Sequence, residues 1–325
     1  MMSIPVPYNR KKISRHKKTT VSFAYSQLTL FHSRKRWGII YGLATVTGLF
    51  CIHGGLFPRA TETDLLDLIH RITSLPITSF MIIVGMYVLN DLIDADLDRA
   101  NGKRRPIPLG QVSKRQAWSF VILTNGIGVL LACLTLNTMS VVLATLLVVI
   151  GLMYSAPKIS LKDRFVIKTL AIALALALCS LMGSTASFGI DIKSTNSNIM
   201  HGYVVLMLGT MVFVTSPLND LGDVAGDKAA GRRTIPIMIG PKNTVIMAIL
   251  LAVSMSTVSW ILYELSDIGL VMCILVNFIS IVIIKNMSKT LKKLDDTEFV
   301  RKQHKKSMPL HMLLQLALIV GSLLI

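Results

Sequence analysis

The sequence predicts an all-α, polytopic membrane protein with nine transmembrane helices. Three observations predict it. The chain has 325 residues, of which 52% are hydrophobic and only 16% charged, against about 25% charge in soluble domains. Its mean hydropathy is +0.62. Its apolar runs recur, separated by polar connectors, at membrane-spanning length, about 17 to 25 residues. A single soluble protein built of buried helices does not account for that repetition.

The spans follow in order, each bounded by its connectors. The first, 37–56, comes after nine Lys/Arg. The second, 76–93, opens on a stretch, Leu75 to Leu89, with no charged side chain. Six Lys/Arg lie between Arg99 and Arg115, ahead of the third and fourth spans at 117–136 and 139–156. Four more, Lys158 to Lys168, precede the fifth span at 167–189. The sixth, 202–219, contains Pro217 near its end, and a kink is expected there. Another four, Lys228 to Lys242, introduce the seventh and eighth spans at 243–262 and 267–284. Eight basic residues from Lys285 to Lys306 precede the ninth, 308–325.

With the N-terminus in the cytoplasm, 31 of the 34 Lys/Arg fall on the cytoplasmic side, leaving Arg59, Arg71 and Lys193 outside. This is the positive-inside pattern. The net charge of +17 therefore reads as topology and attraction to anionic lipid. The basic residues are divided among five connectors with no recognition motif, which argues against a nucleic-acid partner. Two segments result: a basic cytoplasmic arm, 1–34, and a transmembrane domain, 35–325. The arm has no apolar region before about Val21, so a cleavable signal peptide is not expected. Phe23 to Phe31 can form a short interfacial helix tethering the first span.

Cys51, Cys133, Cys179 and Cys273 all lie in apolar runs without a CxxC pair and read as packing residues. The seven histidines lack HxxxH spacing, which gives zinc no support.

The chemistry concentrates in two acidic clusters. NDLIDADLD, residues 90–98, follows the second span without a helix breaker. On a continuing helix Asp91, Asp94 and Asp98 fall at i, i+3 and i+7 on one face, with Asn90 nearby and Asp96 pointing away. NDLGDVAGDK, residues 219–228, ends the sixth span and repeats the spacing in Asp220, Asp223 and Asp227, with Asn219 repeating Asn90. Both spans run inward, so both clusters sit at one membrane depth. Polar helix ends are the bland alternative, but carboxylates at a helix C-terminus oppose the macrodipole. Repelling carboxylates need protons, basic partners or cations. Magnesium suits them: it takes oxygen ligands and binds through few carboxylates plus substrate phosphates. A calcium-binding loop pattern is absent. Basic residues complete an anion cradle: Lys103, Arg104 and Arg105 after the first cluster, and Lys228, Arg232 and Arg233 after the second. In YSAPK, Tyr154 and Lys158 are four apart, and Pro157 is expected to turn Lys158 inward.

Together these residues resemble the UbiA-type intramembrane prenyltransferases over roughly residues 35 to 325. Asn90, Asp91, Asp94 and Asp98 match the family's NDxxDxxxD motif. Asp220, Asp223 and Asp227 match its second motif, with Gly231, Thr234 and Pro236 as the trailing G-x-x-T-x-P. Tyr154 and Lys158 match its Tyr-x-x-x-Lys element, while Asn101, Arg105 and Pro106 match N-x-x-x-R-P; Lys103 stands where the family often has proline. The family's usual first-span Asn is missing, and Tyr41 or Thr45 are its candidate replacements. The resemblance implies helices around a central cavity, two Mg2+ ions held by the six aspartates, and transfer of a prenyl group from a prenyl diphosphate to a lipophilic acceptor in the membrane. It also implies catalytic roles for the aspartates and Lys158, and substrate contacts from Asn90, Arg105, Tyr154, Lys158, Asn219 and Lys228. The archaeal ether-lipid branch, which prenylates geranylgeranylglyceryl phosphate, shares the compact NDxxDxxxDxxN…RPIP block. The chlorophyll-synthase branch shares YSAP, and quinone and haem acceptors stay open. A transporter or lipid-binding scaffold is the alternative of another class, although transporters place ionisable groups near the midplane. Lys162 lies outside the Tyr-x-x-x-Lys element and is expected to matter little.

The charge split yields a test. A cysteine introduced at 190–200 is expected to react with an impermeant reagent from outside, and one at 101–103 only from inside. Labelling from one side at both positions would overturn the nine-span map.

Overall fold

The computed structural model describes residues 22–53, 65–100, 102–185, 195–266 and 268–324. The described residues are all-α. The long helices are α1 (Phe23–His53), α2 (Leu65–Ile93), α4 (Lys114–Leu134), α5 (Thr138–Ser155), α6 (Phe165–Ser184), α7 (Thr195–Leu221), α10 (Pro241–Leu265), α11 (Leu270–Leu291) and α12 (Thr297–Leu323). Short helices α3 (Ala95–Ala100), α8 (Val224–Ala229) and α9 (Ile235–Ile239), with a 3-10 turn at Leu161–Asp163, lie in the connectors. Eight of the long helices, α2, α4 to α7 and α10 to α12, are apolar enough to cross a membrane. This is a multi-pass membrane protein.

The first helix is not one of those eight. It is 31 residues long but carries Arg34, Lys35 and Arg36 along its length. It runs unbroken through the boundary expected between arm and domain. Residues 1–21, Arg59, Asn101 and Lys193 lie outside the described residues.

Several helices start well before the apolar run that signals them. The second begins at Leu65 with Pro76 inside it, and the last begins at Thr297 with Pro309 inside it. A hydropathy reading stops where charge begins, but a helix continues as long as neighbours cover its backbone and one face. Likewise, Pro217 does not end α7, which continues to Leu221.

Packing sorts the helices. The most apolar stretch of α2 is 61% buried, whereas those of α5 and α10 are each 28% buried and display leucine and valine outward. The former is central and the latter two face lipid. α1 packs against α2, α6, α7 and α12. Since lipid is as apolar as leucine, helices in a membrane associate by close packing at small residues and by hydrogen bonds. Both devices occur here. A Cβ at Gly48 of α1 would overlap the Ser180 carbonyl of α6, and one at Gly183 of α6 would overlap the Thr45 carbonyl of α1. Nearby, Thr45 Oγ1 and Ser79 Oγ of α2 are hydrogen-bonded at 2.6 Å, and Thr78 Oγ1 donates to the Gly128 carbonyl of α4 at 3.2 Å.

The α1–α6 crossing therefore depends on glycine. Gly183→Leu is expected to destabilise the fold by about 1–3 kcal/mol or more through overpacking, read as a lower thermal midpoint in detergent. Gly209→Ala on α7, where nothing lies within 4 Å of the added Cβ, is the control expected to hold its midpoint.

Candidate functional site

The first acidic cluster stays helical in register. Asp94 sits at a turn between α2 and α3, yet its N–H donates to the Asn90 carbonyl at 2.9 Å and the Asp98 N–H donates to Asp94 at 2.8 Å. The expected common face survives, and Asp96 points away, 80% exposed and paired with Arg99. The second cluster is more broken. α7 ends at Leu221, Asp223 precedes α8, and Asp227 lies within α8. Gly231 then takes φ +72°, a conformation suited to glycine, and the chain returns so that the Arg232 N–H donates to the Asp227 carbonyl at 2.9 Å.

All six motif carboxylates are paired with cations. Asp91, 2% exposed, receives Arg34 Nε at 2.6 Å, with a second short contact from Arg34 Nη2, and Arg105 at 2.8 Å. Arg105 also reaches Asp98 at 2.5 Å. Asp94 takes Lys162 at 2.7 Å and Arg232 at 3.0 Å. On the second cluster, Lys168 meets Asp220 at 2.5 Å and Arg301 meets Asp223 at 2.9 Å. Two cations bridge the clusters. Lys103 lies 3.4 Å from both Asp98 and Asp223, and Arg232 joins Asp94 to Asp227 at 3.4 Å.

Titration follows from these partners where the groups lie beyond the spans. Burial alone would raise the Asp94 carboxyl, but Lys162 and Arg232 outweigh it and hold it below the ordinary value. Burial prevails at Asp227, which is raised despite Lys168 and Arg232. For Arg232, burial is outweighed by Asp94 and Asp163, so its guanidinium is held more firmly charged.

The two clusters meet at one polar cavity of about 180 Å3. Asn90, Asp94, Asn219, Asp220, Asp223 and Asp227 line it. Asp91 and Asp98 sit behind Arg34 and Arg105, which themselves face the cavity. Below it Tyr41, Tyr87, Asn90 and Tyr154 also line a smaller, mainly apolar pocket of about 90 Å3, walled by Ile83, Met86, Leu147 and Ala175 of α2, α5 and α6. Trp37, part of the larger cavity's lining, stacks on Tyr87 with ring centroids 4.8 Å apart.

The structure places four of the expected basic residues, Lys158, Lys228, Arg104 and Arg233, away from the cavity lining. Lys158 is exposed and does not line the cavity. α5 ends at Ser155, and Ala156, preceding Pro157, is extended at ψ 125°, as a residue before proline prefers. Tyr154 and Lys158 are therefore not stacked on one helix. Ser160 instead takes φ 39° and opens the 3-10 turn that carries Lys162 inward. Lys162 is 6% exposed and bonds Asn90 at 3.2 Å as well as Asp94. Lys228 is likewise exposed and away from the cavity, since the next residue on a helix points about 100° away from Asp227. Arg104 and Arg233 are exposed too. Of the two candidates for the missing first-span Asn, Tyr41 lines the cavity, while the Thr45 hydroxyl is engaged by Ser79.

Sequence reasoning missed Arg34, Lys168 and Arg301 as carboxylate partners, and His304 and His311, which line the cavity from α12. The basic residues looked like topological charge; the histidines had no ligand spacing.

Among the described residues, no group of three His, Cys, Asp or Glu is close enough to enclose a metal. The donors nevertheless fit Mg2+, which needs only one or two carboxylates beside phosphate and water oxygens, and Asp94, Asp220, Asp223 and Asp227 offer hard oxygens at the cavity surface.

Comparison with known proteins agrees with this arrangement. The digeranylgeranylglyceryl phosphate synthase of Methanosphaera stadtmanae is 26% identical over 198 residues, 60% of this chain and 68% of that one. Proteins of the same name from other organisms match over 53–68% of their own length. A solved digeranylgeranylglyceryl phosphate synthase superposes with TM-score 0.64 at 22% identity, covering 94% of this chain and all of that one. A UbiA homologue from Archaeoglobus fulgidus bound to GPP and Mg2+ gives TM-score 0.59 at 19% identity, covering 91% and 99%. The UbiA prenyltransferase family model matches residues 45–304, the greater part of the chain and every motif aspartate, and the chain belongs to that family.

Proposed function

We propose that this protein transfers a prenyl group from a prenyl diphosphate to a lipophilic acceptor resembling geranylgeranylglyceryl phosphate, with Mg2+ required. The observation that carries the reading is the meeting of two aspartate motifs and a ring of cations at one cavity that continues into an apolar pocket. A diphosphate fits the charged end and an isoprenoid tail the apolar end. The acceptor class follows the similar synthases. Nine crossings, with α1 as the ninth, and a cytoplasmic N-terminus and active-site loops in the cell membrane are supported by the charge distribution.

Bound between the two clusters, two Mg2+ ions held by Asp94 and by Asp220, Asp223 and Asp227 would neutralise the diphosphate as it leaves. Asp91 and Asp98 fix Arg105 and Arg34 at the cavity wall, and Lys162, Lys168 and Arg232 add positive charge to bind the leaving group. Such preorganised charge, aimed where negative charge develops, is commonly the largest catalytic contribution. Tyr41, Tyr87 and Tyr154 bound the region where the allylic carbon sits, and the apolar wall below excludes water that would hydrolyse it.

Two sets of variants test this. Asp94→Asn and Asp220→Asn are expected to abolish nearly all Mg2+-dependent transfer from geranylgeranyl diphosphate, while Asp96→Asn keeps it. Product formed by either of the first two at the wild-type rate in low magnesium would refute the shared role. Lys162→Met is expected to lower turnover about 10²–10³-fold, the loss of one such electrostatic contact, whereas Lys158→Met leaves it near wild type. Both lysines count equally towards topology, so equal losses would assign them to membrane anchoring.

A further inference from the structure

The apolar pocket below the charged cavity is built from helix stripes whose register fixes its depth. On α2 it is lined by Ile83, Met86, Tyr87 and Asn90, and on α5 by Leu147, Ile150, Gly151 and Tyr154. Each set has the i, i+3, i+4, i+7 spacing of one helix face. Asn90 and Tyr154 stand at the top of the two stripes, where the pocket joins the charged cavity. Ile83 and Leu147 stand at the other end, about 10 Å away along the helix axes. Two small residues of α6, Ala171 and Ala175, complete the lining.

Partway down, the two stripes touch. A Cβ added to Gly151 would lie 2.4 Å from Met86 Cγ and 2.6 Å from Met86 Sδ. The missing side chain at Gly151 is therefore what lets Met86 lie against the α5 backbone. Gly151 comes three residues before Tyr154, and Met86 four before Asn90, so the contact lies about 5 Å below the polar end. Met86 is 7% exposed, and the open space beside it is the pocket that it lines. Methionine is unbranched and has three rotatable bonds, so a small push from position 151 moves the thioether into that space. An isoprene unit adds four carbon–carbon bonds of about 1.5 Å to a chain and so advances about 5 Å when extended. One unit fits above the Met86–Gly151 contact, and a second has to pass it.

We propose that Met86, seated against Gly151, sets the selectivity for prenyl chain length. It fixes the width of the passage that every isoprene unit after the first must enter, between α2, α5 and the alanines of α6. The assignment rests on the transferase reading, with the diphosphate at the charged end of the cavity and the tail in the apolar pocket. Each further unit that enters buries apolar surface and adds affinity, and the room left beside Met86 decides whether it can enter.

Dimethylallyl diphosphate has one isoprene unit and geranyl diphosphate has two. The Kd of each is measured by calorimetry on the whole chain in detergent with Mg2+, and the two are read as a ratio. Gly151→Ala adds one methyl group with a residue that favours the helix, and it pushes Met86 into the passage. It is expected to weaken geranyl diphosphate about tenfold or more relative to dimethylallyl diphosphate, the discrimination that one methylene gives in an apolar pocket. Adding Met86→Ala to that variant removes the displaced side chain and is expected to return the ratio to the wild-type value or beyond, which damage to the fold would not do. Met86→Phe narrows the same point from α2 and is expected to shift the ratio in the same direction as Gly151→Ala. An unchanged ratio in either single variant, or a double variant no better than Gly151→Ala, overturns the assignment and leaves the transferase reading standing. Should Gly151→Ala fail to fold, Met86→Phe decides, and an unshifted ratio there overturns the assignment. Wild-type protein that binds neither diphosphate overturns the transferase reading and the assignment with it.

Discussion

Buried carboxylates at the ends of membrane helices govern this structure. A carboxylate out of water must be neutralised or paired, and it is also opposed by the partial negative charge of a helix C-terminus. The protein pairs every one of the six. Those pairings shape the connectors. Arg232 holds Asp94, Asp163 and Asp227 together, and the neighbouring Arg233 N–H donates to the Asp163 carbonyl at 3.0 Å. One residue pair thus clamps the loop after α8 to the turn before α6. Lys103 does the same between the α3–α4 connector and the second cluster. The loops over the cavity are placed by charge more than by apolar packing.

The scaffold beneath works by other means. Where α1 crosses α6, and where α2 meets α4, glycines and small hydroxyl residues let backbones touch. This close-packed centre holds α2 and α7 so that their acidic ends face one cavity. Residues at a 0, +3, +7 spacing point the same way only if the helix continues. The first cluster meets that condition through its unbroken hydrogen-bond ladder. The second does not, and yet its three carboxylates still reach the cavity because α8 folds back beneath the Gly231 turn.

One cavity thereby holds three environments. Its charged end is lined by paired carboxylates and cations, its extension by apolar side chains, and its α7–α12 wall by Thr215 and His311.

The sequence alone determined the membrane class, the helical architecture, the two acidic motifs and their common depth. Those follow from local rules: apolar length, the side on which lysine and arginine collect, and helical periodicity. The helix ends were less legible, as Pro76 and Pro309 show, because a helix is extended by neighbours that hydropathy does not see. Which lysine enters the cavity was not legible at all. Lys158 and Lys162 are equivalent as charge, and the choice between them lies in a left-handed Ser160 and the turn that follows it. Arg34 lies 57 residues from Asp91, and His311 lies 96 residues from Thr215. Only the tertiary structure could join such pairs, since a partner across the bundle leaves no periodic trace in the chain.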